Sequence, residues 1–144
     1  DAEMVPVYER MRFLRSVPLF RDLSGDDVLQ LAEKVEQVEP RAGDTVFAKG
    51  DPGEDLYLVV RGRVAMVDGD VELASMGERE FFGELALLDH QPRSADAVCR
   101  EDCTLLRLRG ADLEELMARR PGATREIVRV LAHRLRETGR RIAE

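Results

Sequence analysis

The stretch Leu56-Tyr57-Leu58-Val59-Val60-Arg61-Gly62-Arg63-Val64-Ala65-Met66-Val67-Asp68-Gly69-Asp70-Val71-Glu72-Leu73-Ala74-Ser75-Met76-Gly77 decides the fold. It holds three short runs rich in β-branched residues, Leu56–Val60, Val64–Val67 and Val71–Ala74, with turn signals at Gly62, Gly69 and Gly77. Such runs read as strands, and Asp68-Gly69 between two of them signals a tight hairpin. Outward on both sides the pattern continues in Thr45–Phe47, Ala95–Cys99 and Thr104–Leu108, punctuated by Gly43, Gly50, Gly53 and Gly83. Many short strands at this spacing argue for an antiparallel sandwich or barrel. No long helical pattern separates them, which disfavours a parallel doubly wound sheet.

Helical periodicity returns at both ends. Ser24-Gly25-Asp26-Asp27 is a capping-box variant, and Val28, Leu31, Ala32, Val35 and Val38 follow on one helical face between Pro18 and Pro40. An earlier set, Val7, Met11 and Leu14, predicts a short preceding helix. After the strands, Asp112, Leu113, Leu116 and Met117 predict a short amphipathic turn that Pro121-Gly122 stops. A last helix is expected from Thr124 to Ile142, with Val128, Leu131, Leu135, Thr138 and Ile142 along one face.

At 144 residues the chain fits one domain. A chain of that length hides roughly 68% of its unfolded surface, enough for a core without disulfide or metal staples. With 44% apolar and 35% charged residues, neither disorder nor membrane insertion fits. The first residues lack the basic-then-apolar pattern of a signal peptide, and a start at Asp1 points to a fragment or processed chain. The net charge is −7, unlike a duplex binder's basic footprint. It is uneven: residues 119–144 hold eight Arg and three Glu, net +5, leaving −12 elsewhere. That basic end reads as a solvated helix face. Cys99 and Cys103 are too few for a disulfide framework, which makes a reducing cytoplasm the expected compartment. Without a pair of C-x-x-C motifs or a His-rich site, no metal is expected.

The chemistry concentrates in Phe81-Phe82-Gly83-Glu84-Leu85-Ala86-Leu87-Leu88-Asp89-His90-Gln91-Pro92-Arg93-Ser94-Ala95. Gly83 permits close approach of a ligand to the backbone. The Leu85-Ala86-Leu87-Leu88 segment forms helix readily, and its first turn would present free N–H groups to an anion. The Arg93 guanidinium fork grips two phosphate oxygens at once, and the Ser94 hydroxyl and Ala95 amide add donors. Glu84 supplies an acceptor that suits sugar hydroxyls and repels phosphate. One phosphate plus one ribose hydroxyl fits this set. The alternative is a plain Glu84–Arg93 ion pair across a loop, worth little where exposed.

Phe82-Gly83-Glu84-Leu85-Ala86-Leu87 followed by Pro92-Arg93-Ser94-Ala95 resembles the phosphate-binding cassette of the cyclic nucleotide-binding domain family. Val17-Pro18-Leu19-Phe20, Gly43-Asp44, Lys49-Gly50-Asp51-Pro52-Gly53, Leu56-Tyr57 and Arg61-Gly62 extend the resemblance across about Ser16 to Glu137. The resemblance implies an eight-stranded antiparallel jelly-roll β-barrel with helices at both ends. Its divisions would be N-terminal helices over residues 1–38, the β-roll over 39–110 with the cassette at 82–95, and C-terminal helices over 111–144. By resemblance Arg93, Ser94, Ala95 and the amides of Leu85 and Ala86 hold the cyclic phosphate. Glu84 takes the ribose 2′-hydroxyl, Gly83 permits the approach, and Val60, Met66 and Thr138 face the base. The ligand is expected to be cAMP, with cGMP the alternative; Ser94 does not choose between them. The final helix would close over the base and signal to an effector outside this chain.

Two departures qualify the resemblance. The hairpin at Asp68-Gly69 is short, and no helix-turn-helix reader follows, so no direct DNA contact by this chain is expected. One competing reading is a ligand-free interaction or oligomerisation module, including a homodimer through Val128, Leu131 and Leu135. An enzyme is the third, and it is disfavoured. A catalytic cupin needs a His-x-His cluster, whereas His90 and His133 stand apart and Cys99 and Cys103 lack an adjacent base.

Overall fold

A computed structural model describes residues 3–84 and 90–143, with backbone alone at residue 123 and over residues 138–143. Helix α1 (Val7–Ser16) leads through a 3-10 turn (Pro18–Phe20) into α2 (Gly25–Lys34). The Ser24 hydroxyl accepts from the Asp27 amide at 3.2 Å, the expected N-cap, and satisfies a backbone donor that the helix itself leaves free. Eight strands follow among the described residues: β1 (Glu36–Val38), β2 (Thr45–Phe47), β3 (Leu56–Arg61), β4 (Val64–Asp68), β5 (Val71–Met76), β6 (Phe81–Phe82), β7 (Asp96–Cys99) and β8 (Thr104–Leu108). Helices α3 (Gly110–Arg119) and α4 (Pro121–Ala143) complete the chain.

The strands form two four-stranded antiparallel sheets, in the orders β1-β8-β3-β6 and β2-β7-β4-β5. This is mainly β architecture with flanking helices, the jelly-roll arrangement. β4 and β5 form the expected hairpin, with Asp68 paired to Val71 across Gly69-Asp70.

Strand parity divides the apolar residues between two cores. Leu56, Leu58, Leu106 and Leu108 point outward from the first sheet to meet Leu14, Phe20, Leu31, Leu113, Ile127 and Leu131 of the helical layer. Val59 and Leu105 point inward and pack with Phe47, Val64, Phe82, Ala97, Cys99 and Cys103 between the sheets. The first sheet is therefore covered on both faces, which accounts for the near-continuous apolar runs of β3 and β8.

Several boundaries differ from the expected ones. Val35 caps α2 and Val38 lies in β1, so the helical spacing overran a short strand. The segment after β8 is a ten-residue helix rather than a single turn. Pro121 ends its predecessor as expected, with Arg120 as the non-helical cap before it, and also opens α4. A proline lacks an N–H, which costs nothing in a helix's first turn.

Burial pushes the Cys99 thiol up to about 12, with neighbouring Cys103 adding to the rise. Both cysteines are buried in the inter-sheet core. Neither is expected to react with a water-soluble disulfide reagent at pH 8 in the native protein, and both should react in denaturant. Fast native labelling would mean that the sheets open at this end.

Candidate functional site

The cassette begins where β6 ends. Gly83 has φ 94°, and a Cβ there would lie 2.7 Å from the Asp55 carbonyl oxygen, so any larger residue drives the two segments apart. The far end is fixed by backbone pairing: the Arg93 amide donates to Asp51 O and the Gly50 amide to Arg93 O, both at 2.8 Å. The glycine turn at Lys49–Gly53 thereby carries Arg93 into position.

Arg93 is 6% exposed. Its Nη1 donates to Gly83 O at 3.0 Å and its Nη2 to Asp55 O at 2.9 Å. The guanidinium carbon stands 4.1 Å from the centre of the Phe47 ring. Phe47 leans on Phe82 at 5.9 Å, and Phe82 stacks on Tyr57 at 5.2 Å, giving the cation an aromatic floor. Among the described residues no carboxylate pairs with Arg93, and its Nε is buried without a hydrogen-bond partner. Burial pulls its pKa below the ordinary value, against the opposing pull of Tyr57, Asp55 and Glu84.

Glu84 pairs elsewhere. Its Oε1 lies 3.5 Å from Nε of Arg134 on α4. Arg134 also stacks over the Phe81 ring at 3.9 Å and donates to the Phe81 carbonyl. Its pKa is lowered by burial, with Glu84 and then Glu80 opposing. Residue-type reasoning missed Arg134, although it lies one helical turn before Thr138 and so on the same face.

A cavity of about 170 Å³ opens beside Arg93. Gly83, Glu84, Arg93, Ser94 and Ala95 form its polar side, and Phe47, Met66, Leu73 and Met76 its apolar side, with Arg134 and Leu135 across the mouth. Met66 therefore borders the same space as the polar set. Val60 does not line it: with Leu56 and Leu58 it shares the even-numbered face of β3 and packs toward the helices. That placement removes the base contact assigned to Val60, because alternation along a strand turns it away from the cavity. Leu85 and Ala86 lie outside the described residues, and for Thr138 only the helical backbone is described.

Away from the cavity, His90 Nδ1 lies 2.6 Å from Glu54 Oε1, and Glu114 brings a third donor atom within 4.8 Å of these two. The His90 and Glu54 side chains are about half exposed, and they form a solvated polar cluster.

A family model of the cyclic nucleotide-binding domain matches residues 37–120. The chain is 39% identical over 130 residues to the cyclic AMP receptor protein of Thermus thermophilus, covering 86% of this chain and 60% of that protein. The crystal structure of the N-terminal domain of a transcriptional regulator from Streptomyces coelicolor A3(2) matches with a TM-score of 0.72 at 35% identity, over 88% of this chain and 92% of that one. The regulatory domain of Toxoplasma gondii PKA, crystallised with cAMP, matches with a TM-score of 0.71 at 27% identity, over 80% of this chain and 46% of that one. The chain spans 58% to 60% of the length of the bacterial regulators it matches. Strand order, cassette and likeness agree, and the chain belongs to the cyclic nucleotide-binding domain family.

Proposed function

We propose that residues 1–144 act as one regulatory domain that binds a cyclic nucleotide monophosphate, cAMP in preference to cGMP, in the cavity beside Arg93. The observation that carries this reading is a buried cation with no carboxylate paired to it among the described residues. A guanidinium removed from water, whose hydrogen bonds go to neutral carbonyls and whose face rests on Phe47, keeps an unmet demand for an anion. A cyclic phosphate supplies that charge, with Ser94, Ala95, Leu85 and Ala86 as its further donors. The ribose 2′-hydroxyl falls to Glu84 beside Gly83, and the base to Met66 and the face of α4 bearing Thr138.

The cavity is smaller than the roughly 300 Å³ at which ligand pockets usually begin. Arg134 and Leu135 stand across its mouth, so on this reading a nucleotide displaces them on entry, and α4 is the element that would convey its arrival to an effector. Val128 and Leu135 stand exposed on α4, where a second copy would pack, whereas Leu131, expected beside them, is buried in this chain's own core and is not available to a partner. Among the described residues no helix is long and apolar enough to cross a membrane, and a cytoplasmic site of action accords with the two unpaired cysteines.

Calorimetric titration with cAMP and cGMP tests the reading. A nucleotide of about 22 heavy atoms at roughly −0.3 kcal/mol per atom should bind with Kd near 10 μM or tighter. Absence of both heat and thermal shift at millimolar ligand would favour a ligand-free assembly module. Glu84→Gln keeps an acceptor but loses the charge, so about a tenfold loss is expected. The variant should also discriminate less against a 2′-deoxy cyclic nucleotide. Unchanged discrimination would remove Glu84 from the ribose.

A further inference from the structure

Asp55 makes two contacts of different kind. Its backbone carbonyl accepts from Arg93 Nη2 at 2.9 Å, whereas its carboxylate is gripped by Arg107, with Nε at 2.7 Å and Nη2 at 2.6 Å from Oδ2. Arg107 is held from both sides in β8, opposite Tyr57 of β3 and opposite Glu36 of β1. Its Nη1 lies 3.5 Å from the Glu36 carboxylate. The hydrogen bond to Asp55 raises the Arg107 pKa above its ordinary value, against the desolvation of the site.

We propose that Arg107 is a positioning residue for the anion site: it holds the Asp55 carboxylate away from Arg93, so that only the neutral Asp55 carbonyl meets the guanidinium. This rests on the reading of Arg93 as the phosphate-binding cation. The two residues are coupled because one residue, Asp55, touches both arginines. Released from Arg107, the Asp55 carboxylate would be free to turn toward the guanidinium that its own carbonyl already meets. A carboxylate there would satisfy the buried charge from within and compete with any incoming phosphate. The fork on Asp55 also fixes the carbonyl that abuts the cassette at Gly83, where a Cβ would come within 2.7 Å of it.

The test compares Arg107→Met, Asp55→Asn and the double variant, by cAMP titration and by the ¹⁵N resonance of Arg93 Nε in the ligand-free protein. Arg107→Met should weaken cAMP binding about tenfold or more, by freeing a full charge to compete for Arg93. Adding Asp55→Asn to it should restore most of that affinity, because the competing charge is gone, although the fork is still missing. Arg107→Met should also shift the Arg93 Nε resonance, and the double variant should return it toward the wild-type position. A purely structural role predicts a lower melting temperature with Kd and the Arg93 resonance unchanged, and no rescue by Asp55→Asn. Either result overturns the proposal. Should the wild-type protein take no cyclic nucleotide, the ligand reading falls alone, and the Arg93 resonance still decides whether Arg107 positions it.

Discussion

Arg93→Ala is expected to weaken cyclic nucleotide binding by at least about 100-fold while the domain stays folded. The guanidinium offers a phosphate a charge-assisted fork, and hydrogen bonds to charged groups contribute about 1.5–3 kcal/mol each. Two such bonds exceed the roughly 2.8 kcal/mol that corresponds to 100-fold. Stability should change little, because two effects oppose. The Gly83 and Asp55 carbonyls lose their donor, but a desolvated cation with no paired carboxylate among the described residues disappears with it. Arg93→Lys should recover only part of the affinity, since an ammonium keeps the charge and lacks the planar fork. Titration and thermal melting on the same samples decide the matter. Intact binding together with a melting temperature several degrees lower would make Arg93 a structural cation.

Gly62→Ala should produce the largest loss of stability. Gly62 follows β3 at φ 99°, and a Cβ there would lie 2.6 Å from Cys103 Sγ and 2.7 Å from Asp102 O. Backbone strain of this kind costs about 1–3 kcal/mol, and overpacking a full site about 1–3 kcal/mol more. Against a total stability of about 5–15 kcal/mol, the combined cost is a large fraction. At about 2–4 °C per kcal/mol, melting should fall by roughly 10 °C. Gly43 provides the control, with positive φ and open space around its missing side chain. Equal losses at the two sites would show that the clash with the β7–β8 turn contributes nothing.

Elements longer than a helical turn or a few strand residues were legible wherever their period had room to declare itself. The Ser24 cap, the Asp68-Gly69 hairpin and the runs of β3 and β8 are of this kind. β1 has three residues and β6 two, too few for a period of two to emerge, so Val38 passed as the tail of α2. The cassette was readable because Gly83, Glu84 and Arg93 are unusual choices close together. Arg134 was hidden because it is one of eight arginines between residues 119 and 144, and nothing local separates a buried one from its solvated neighbours. Val60 was misplaced for a simpler reason: assigning it to the base required knowing which face of β3 looks inward, and both faces are apolar.

Phe81 and Phe82 are neighbours in the chain, yet Phe81 packs toward the helices and Phe82 toward the space between the sheets. One peptide unit, about 3.8 Å from Cα to Cα and rigid about its C–N bond, joins the two cores. Phe81 bears Arg134 of α4 on its ring and its carbonyl, and Phe82 supports the aromatic floor beneath Arg93. The two Cα atoms can neither part nor close, so the layer that carries α4 and the floor beneath Arg93 keep one fixed spacing at this point, like two plates held by a single rivet.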